Sequence, residues 1–308
     1  MYNKRKNISI VLVLLFITIV AGVFIGKKYY SQKSLTVNIN KIATEKSKET
    51  VDVENKIIEK PEVVTKIESV ESTTVVRDIN LKYNDKGIPI VMYHSIGYEK
   101  GNIARVTKEN FKEQMKYLKD NGYATLTLND AYDFFINNKP VPEKSIVLTF
   151  DDGYMDNYVE ALPILKEFGL KATIFVITDL VDKDPNYMTI SQLKEMQSQG
   201  IEIESHTVYH EHLKQLSYEK QVTTLKGSKE FLEKVLNKKI KYVAYPYGEY
   251  SQETLKVVQE VGYTLAVTTA GRWSDKADGI LTLDRVFISG AASLDTFIER
   301  ITNFNYDF

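Results

Sequence analysis

From residue 87 onward the chain alternates two hydrophobic rhythms. Short apolar or alternating runs, rich in β-branched and aromatic residues, occupy 88–93, 123–128, 146–150, 172–177, 201–205, 242–245, 263–268 and 281–288, and they read as strands. Between them apolar residues recur every three or four positions. Thr107 caps a helix that carries Phe111, Met115 and Leu118 on one face and is closed by Gly122. Residues 130–137, 191–199 and 252–261 form further helices, and Pro163 sits near the first turn of one that Gly169 ends. A longer helix carries Val222, Leu225, Leu232 and Val235 on one stripe. Strands alternating with helices in this way imply parallel βα units, in a barrel or an open sheet.

The first 86 residues follow other patterns. Residues 8–26 contain no charge, and fourteen of these nineteen are Ile, Leu, Val or Phe. As a helix the run spans about 28 Å, close to the ~30 Å hydrocarbon core of a bilayer. Lys4, Arg5 and Lys6 precede it, Lys27 and Lys28 follow, and no small-residue cleavage site comes after. We expect residues 1–28 to be an uncleaved signal anchor with the rest of the chain outside the cytoplasmic membrane, or a secreted protein if the segment is cleaved. Residues 29–86 are dominated by Lys, Glu, Thr, Ser and Val with scattered apolar positions. They read as an extracytoplasmic linker with a reach of roughly 40 Å, a small β-rich module being the alternative.

Composition narrows the chemistry. The formal charge of −1 over 308 residues leaves no basic excess for replacing phosphate counterions, so nucleic acid is not an expected partner. The absence of cysteine removes thiolate metal sites, cysteine nucleophiles and disulfides.

What remains is a set of polar clusters placed just after strands. The run Ile146-Val147-Leu148-Thr149-Phe150 delivers Asp151 and Asp152 side by side, with Gly153 allowing a sharp turn. Ser205-His206-Thr207-Val208-Tyr209-His210 follows a later strand, His94 an early one, and Tyr245-Pro246-Tyr247-Gly248 another. In a parallel barrel all these points share one face. Two histidines and one of the aspartates, with an open position, form the ligand set of a hydrolytic zinc centre, which leaves the other aspartate for proton chemistry.

Thr149-Phe150-Asp151-Asp152-Gly153, His206-Thr207-Val208-Tyr209-His210 and Tyr245-Pro246-Tyr247-Gly248 together resemble three motifs of the polysaccharide deacetylase family. The resemblance covers residues 87–308, the expected catalytic domain. It implies a distorted (β/α) barrel of seven or eight parallel strands and hydrolytic removal of acetyl groups from carbohydrate. It makes Asp151 the general base, Asp152, His206 and His210 the ligands of one divalent metal, and the main-chain N–H of Tyr247 the oxyanion donor. Zinc is the expected ion, with cobalt, nickel or manganese as substitutes.

Two departures from the family pattern call for replacements. The late Leu-x-His motif that supplies the acid is missing, and no histidine follows His212. Met92-Tyr93-His94 resembles that motif moved to the other end of the chain, which a closed barrel permits, so His94 is the expected acid. The arginine that usually precedes Pro-Tyr-Gly is replaced by Ala244; Arg285 is the candidate to orient the base, through Asp284 or Asp275. Tyr209, Tyr245, Tyr247, Tyr250 and Trp273 are candidates for sugar stacking or for ordinary packing, and His212 reads as an exposed loop residue.

The expected substrate is N-acetylglucosamine in a cell-surface glycan, peptidoglycan first because the linker reaches the wall. Poly-N-acetylglucosamine of a secreted matrix and a carbohydrate O-acetyl ester are the alternatives. An inactive glycan-binding protein and a structural wall anchor are readings of another class.

Overall fold

The structure, a computed structural model, describes residues 80–306. The expected membrane anchor and most of the linker lie outside the described residues. Among the described residues no helix is long and apolar enough to cross a membrane. The fold begins a little before residue 87: Leu81–Lys82 pairs antiparallel with Val141–Pro142, and Asn84 donates its side-chain amide to the Phe135 carbonyl at 2.9 Å.

One curled parallel sheet organises everything after that. Its strands are β1 (Ile90–Tyr93), β2 (Ala124–Leu126), β3 (Ser145–Phe150), β4 (Thr173–Val176), β5 (Glu202–Ser205), β6 (Tyr242–Ala244), β7 (Leu265–Val267) and β8 (Val286–Phe287). The path runs β7-β6-β5-β4-β3-β1-β8, with β2 pairing alongside β3. All these pairings are parallel. The final segment joins both edges of the path. Leu283 exchanges main-chain hydrogen bonds with Ala266 and Thr268 beside β7, and three residues later β8 pairs with β1. The barrel is therefore distorted, closed by one segment that changes neighbours part-way.

Alternation along each strand sorts the core. Ile146, Leu148 and Phe150 join the large cluster packed under the helices, while Val147 joins a second cluster with Ile90, Phe175, Ala244 and Val267 from other strands. By the same period of two, Thr149 and Asp151 continue the side of Val147, toward the barrel interior. The helices are α1 (Lys108–Asp120), α2 (Leu128–Asn137), α3 (Leu162–Phe168), α4 (Ile190–Ser198), α5 (Tyr218–Leu236), α6 (Gln252–Val261) and α7 (Leu294–Thr302). Thr107 caps α1, accepting from the Asn110 N–H at 3.2 Å, and Phe111, Met115 and Leu118 are its buried face. Gly169 ends α3 and Gly262 ends α6, both in the left-handed conformation that C-capping favours. Helix α7 is absent from the sequence reading, although Ser293 caps it and Phe297 and Ile301 are its buried stripe.

Candidate functional site

The C-terminal ends of β1, β3, β5 and β6 carry His94, the Asp151-Asp152 pair, His206 and the 246–248 turn, so the polar clusters meet at one rim of the barrel. Arg285 reaches them from the closing segment.

Asp151 is 2% exposed and lies against a guanidinium that is fully buried. Arg285 grips it with two parallel bonds, Nη1 to Oδ1 and Nη2 to Oδ2, each 2.7 Å. Two further donors are used: Nη1 reaches Thr149 Oγ1 at 3.1 Å and Nε the Thr268 carbonyl at 2.8 Å. Such a fork geometry aligns a carboxylate as no lysine could. Burial by itself would raise the Asp151 carboxyl, but the Arg285 guanidinium, with His206 behind it, holds it well below the usual range. The route through Asp284 or Asp275 is corrected: Asp284 accepts from Thr268 Oγ1 at 3.1 Å and Asp275 turns back on its own loop, so Arg285 acts on Asp151 directly.

Asp152 turns away from its neighbour through a left-handed backbone, φ 74°. Its Oδ1 lies 3.5 Å from His206 Nε2 and 3.6 Å from His210 Nε2, and the three potential ligand atoms lie within 4.8 Å of one another. His206 Nδ1 sits 2.8 Å from the Ala244 carbonyl. A carbonyl can only accept, so Nδ1 carries the proton and Nε2 presents a lone pair. Asp152 Oδ1 is buried with no hydrogen-bond partner, so lone pairs converge on a point that holds no donor. A cation is what such a donor set fits. Burial pushes Asp152 up to about 6 and His206 down to about 3, and it lowers His210 as well, so both imidazoles are neutral and ready to ligate at pH 7.

His210 depends on its loop for position. Thr207 and His210 both have positive φ, 64° and 59°. Thr207 Oγ1 accepts the His210 N–H at 3.0 Å, and Glu211 ties the loop to α5 through Thr224 Oγ1 at 2.8 Å. Strained non-glycine backbone of this kind persists only where surroundings hold it.

His94 follows β1 directly. Asn157 Nδ2 donates to its carbonyl at 2.7 Å, and its Nδ1 is buried without a partner. His94 lies near enough to Asp151 and Asp152 to interact electrostatically with both carboxyls. Tyr247 occupies the turn after β6 with φ 60°, its ring half exposed beside His210. Tyr245 is a core residue whose hydroxyl donates to the Leu281 carbonyl, and Trp273 faces a separate cleft, its Nε1 donating to the Arg300 carbonyl. Next to the triad a cleft of about 280 Å³ is lined by Tyr154, Ile177, Leu180, Tyr187 and Tyr209. Tyr154 and Tyr187 stack there at 5.0 Å, and the sequence reading passed over both. Tyr154 stands directly after Asp151-Asp152-Gly153, a signal that was available; Tyr187 lies in a loop with no pattern to mark it.

Comparison with known proteins agrees with this geometry. A family model described as polysaccharide deacetylase matches residues 138–266. YxkH of Bacillus subtilis (strain 168), designated a polysaccharide deacetylase, is 40% identical over 210 residues, 68% of this chain and 74% of its own. The poly-beta-1,6-N-acetyl-D-glucosamine N-deacetylase of Staphylococcus aureus (strain N315) is 32% identical over 173 residues, 51% of this chain and 58% of its own length. Among solved structures, the Streptococcus pyogenes deacetylase PplD in complex with acetate superposes with a TM-score of 0.68 at 36% identity, covering 70% of this chain and 98% of that one.

Proposed function

The chain belongs to the polysaccharide deacetylase family, and on that premise we propose that it hydrolyses N-acetyl groups from N-acetylglucosamine units of a cell-surface glycan, using a divalent metal held by Asp152, His206 and His210. The observation that carries the reading is the convergence of the partnerless Asp152 Oδ1 and two imidazole Nε2 atoms beside an ionised, arginine-held Asp151.

A divalent ion bound at the triad supplies polarisation of the acetyl carbonyl and acidity to the attacking water. Asp151 takes the water proton. Each of its oxygens accepts one Arg285 bond and keeps a second lone pair, and the guanidinium fixes where those lone pairs point. The Tyr247 N–H meets the developing oxyanion, a contribution worth about 10²–10³ in rate where such donors have been removed. His94 returns a proton to the departing amine, for which its unpaired ring nitrogen is suited. The tyrosine-lined cleft beside the triad offers apolar and aromatic surface to the sugar.

Peptidoglycan is the first substrate, on the argument that an anchored enzyme with a linker of some tens of ångströms meets the wall. The likeness to the S. aureus enzyme favours poly-β-1,6-N-acetylglucosamine as the second reading. Mass spectrometry of muropeptides and of matrix glycan, from cells with and without the protein, separates them. Unchanged acetylation of both polymers would sink the glycan assignment, and failure of the metal-loaded protein to release acetate from N-acetylglucosamine oligomers would sink the deacetylase reading.

A further inference from the structure

Tyr247 holds a backbone conformation that a tyrosine adopts only under constraint, with φ 60° and ψ 8°. Main-chain support is partial: its carbonyl accepts from Thr269 Oγ1 at 3.2 Å, and the Gly248 N–H donates to the Tyr245 carbonyl at 2.9 Å. The ring is 51% exposed, so no core packing pins it. Two histidines pin it instead. His210 meets it edge-on, 4.5 Å between centroids, while His212 lies flat on it at 3.9 Å and 7°. His212 is itself held, its Nδ1 2.8 Å from Glu249 Oε2, and Glu249 takes Lys214 Nζ at 2.7 Å on its other oxygen. Glu249 follows Tyr247 by two residues, and His212 follows His210 by two. Side chains thus close the loop after β5 and the turn after β6 into one ring.

We infer that His212 is a positioning residue: clamped by Glu249, it presses Tyr247 against His210 and so aims the Tyr247 main-chain N–H at the reacting carbonyl. The inference rests on the deacetylase reading and on Tyr247 as the oxyanion donor. Without the flat imidazole the ring can rotate and the turn can relax toward an ordinary φ. An oxyanion donor acts over tenths of an ångström, so a small shift is enough to weaken it. Because the oxyanion forms only as the reaction proceeds, the loss falls on kcat and spares KM.

The test uses the full chain in detergent, metal-loaded, with His212→Ala and His212→Phe variants. Turnover of an N-acetylglucosamine oligomer, metal content and hydrogen exchange of the peptide spanning residues 245–250 are measured on each. The Ala variant should lose about 10-fold in kcat, less than the loss from deleting a donor, with KM within about twofold. Its metal content should stay at the wild-type level while exchange around Tyr247 quickens. The Phe variant, which keeps the flat ring but not the bond to Glu249, should recover part of both. An Ala variant with unchanged kcat and unchanged exchange overturns the inference, as does a loss that merely follows lost metal. If the wild-type protein turns over no acetylated oligomer, the deacetylase reading falls, and the exchange rates alone still decide whether His212 holds the turn.

Discussion

On the proposed reading, one carboxylate at Asp151 serves two requirements: it must stay ionised in a buried place, and it must take a proton. Arg285 meets the first by a bidentate grip, at the cost of weak basicity, so the residue depends on the acidity of the water it serves. Asp151→Asn keeps size and one acceptor oxygen but cannot take the proton; it should retain metal and lose about 10²–10⁴-fold in kcat. Near-normal turnover with full metal content would move the base elsewhere. His94 is tested by changing the leaving group. His94→Ala should lose ~10²-fold or more on an amide and much less on an aryl acetate, whose phenolate departs with little help from an acid. Equal losses on both substrates would make His94 a structural histidine. The aspartate pair and the two histidines were legible because each set is close in sequence and follows a strand. The grip of Arg285 was not, since Asp151 lies 134 residues away and the contact exists only once the closing segment is in place. Nor was the stacking of His212 on Tyr247, which depends on how two separate loops meet.

At the scale of elements, the proposed metal ligands sit just beyond two strand ends, Asp152 after β3 and His206 after β5, with His210 on the strained loop that follows, so removing them should leave the barrel standing. A His206→Ala, His210→Ala double variant should bind no stoichiometric metal while keeping its circular dichroism. Proton competition gives a second reading of the same site. Burial raises the metal-free Asp152 carboxyl to about 6, holds the His206 imidazole down to about 3 and lowers that of His210. An incoming cation must displace the Asp152 proton only below about pH 6, so affinity should be flat from pH 8 to about 6.5 and then fall by about tenfold per unit. Calorimetric titration with zinc across that range checks it; a fall beginning near pH 4 would show that Asp152 is not buried as a ligand. Strand periodicity was legible wherever runs were long, as in β3, which is buried along its whole length. Helix α7 escaped because its short stripe follows a segment rich in Gly, Ala and Ser that reads as an ending.

For the whole molecule, the described fold holds every group the chemistry uses, from His94 to Arg285, within residues 80–306. A protein starting at residue 80 should therefore retain kcat and KM on soluble N-acetylglucosamine oligomers. In cells it should lose most of its effect on the native polymer, because the expected anchor and linker no longer confine it. Comparing the two lengths on oligomers and in complemented cells checks this, and a shortened protein inert on oligomers would place part of the active unit before residue 80. The parallel βα architecture was legible from the alternation of the two rhythms. Closure, with the first and last strands as neighbours, was expected from the family resemblance; the change of neighbours within the closing segment was not, because Leu283 and Val286 lie three residues apart yet bond to different strands.

That closing segment also fixes an order of events during synthesis. Asp152, His206 and His210 have all left the ribosome before Arg285 does, and the partners of the closing segment, β1 and β7, are already made. On the proposed reading, all three ligands of the ion precede in synthesis the guanidinium that keeps Asp151 charged and aligned. The residue that would arm the proposed base is thus the last of the site to be made, and it arrives with the segment that closes the barrel.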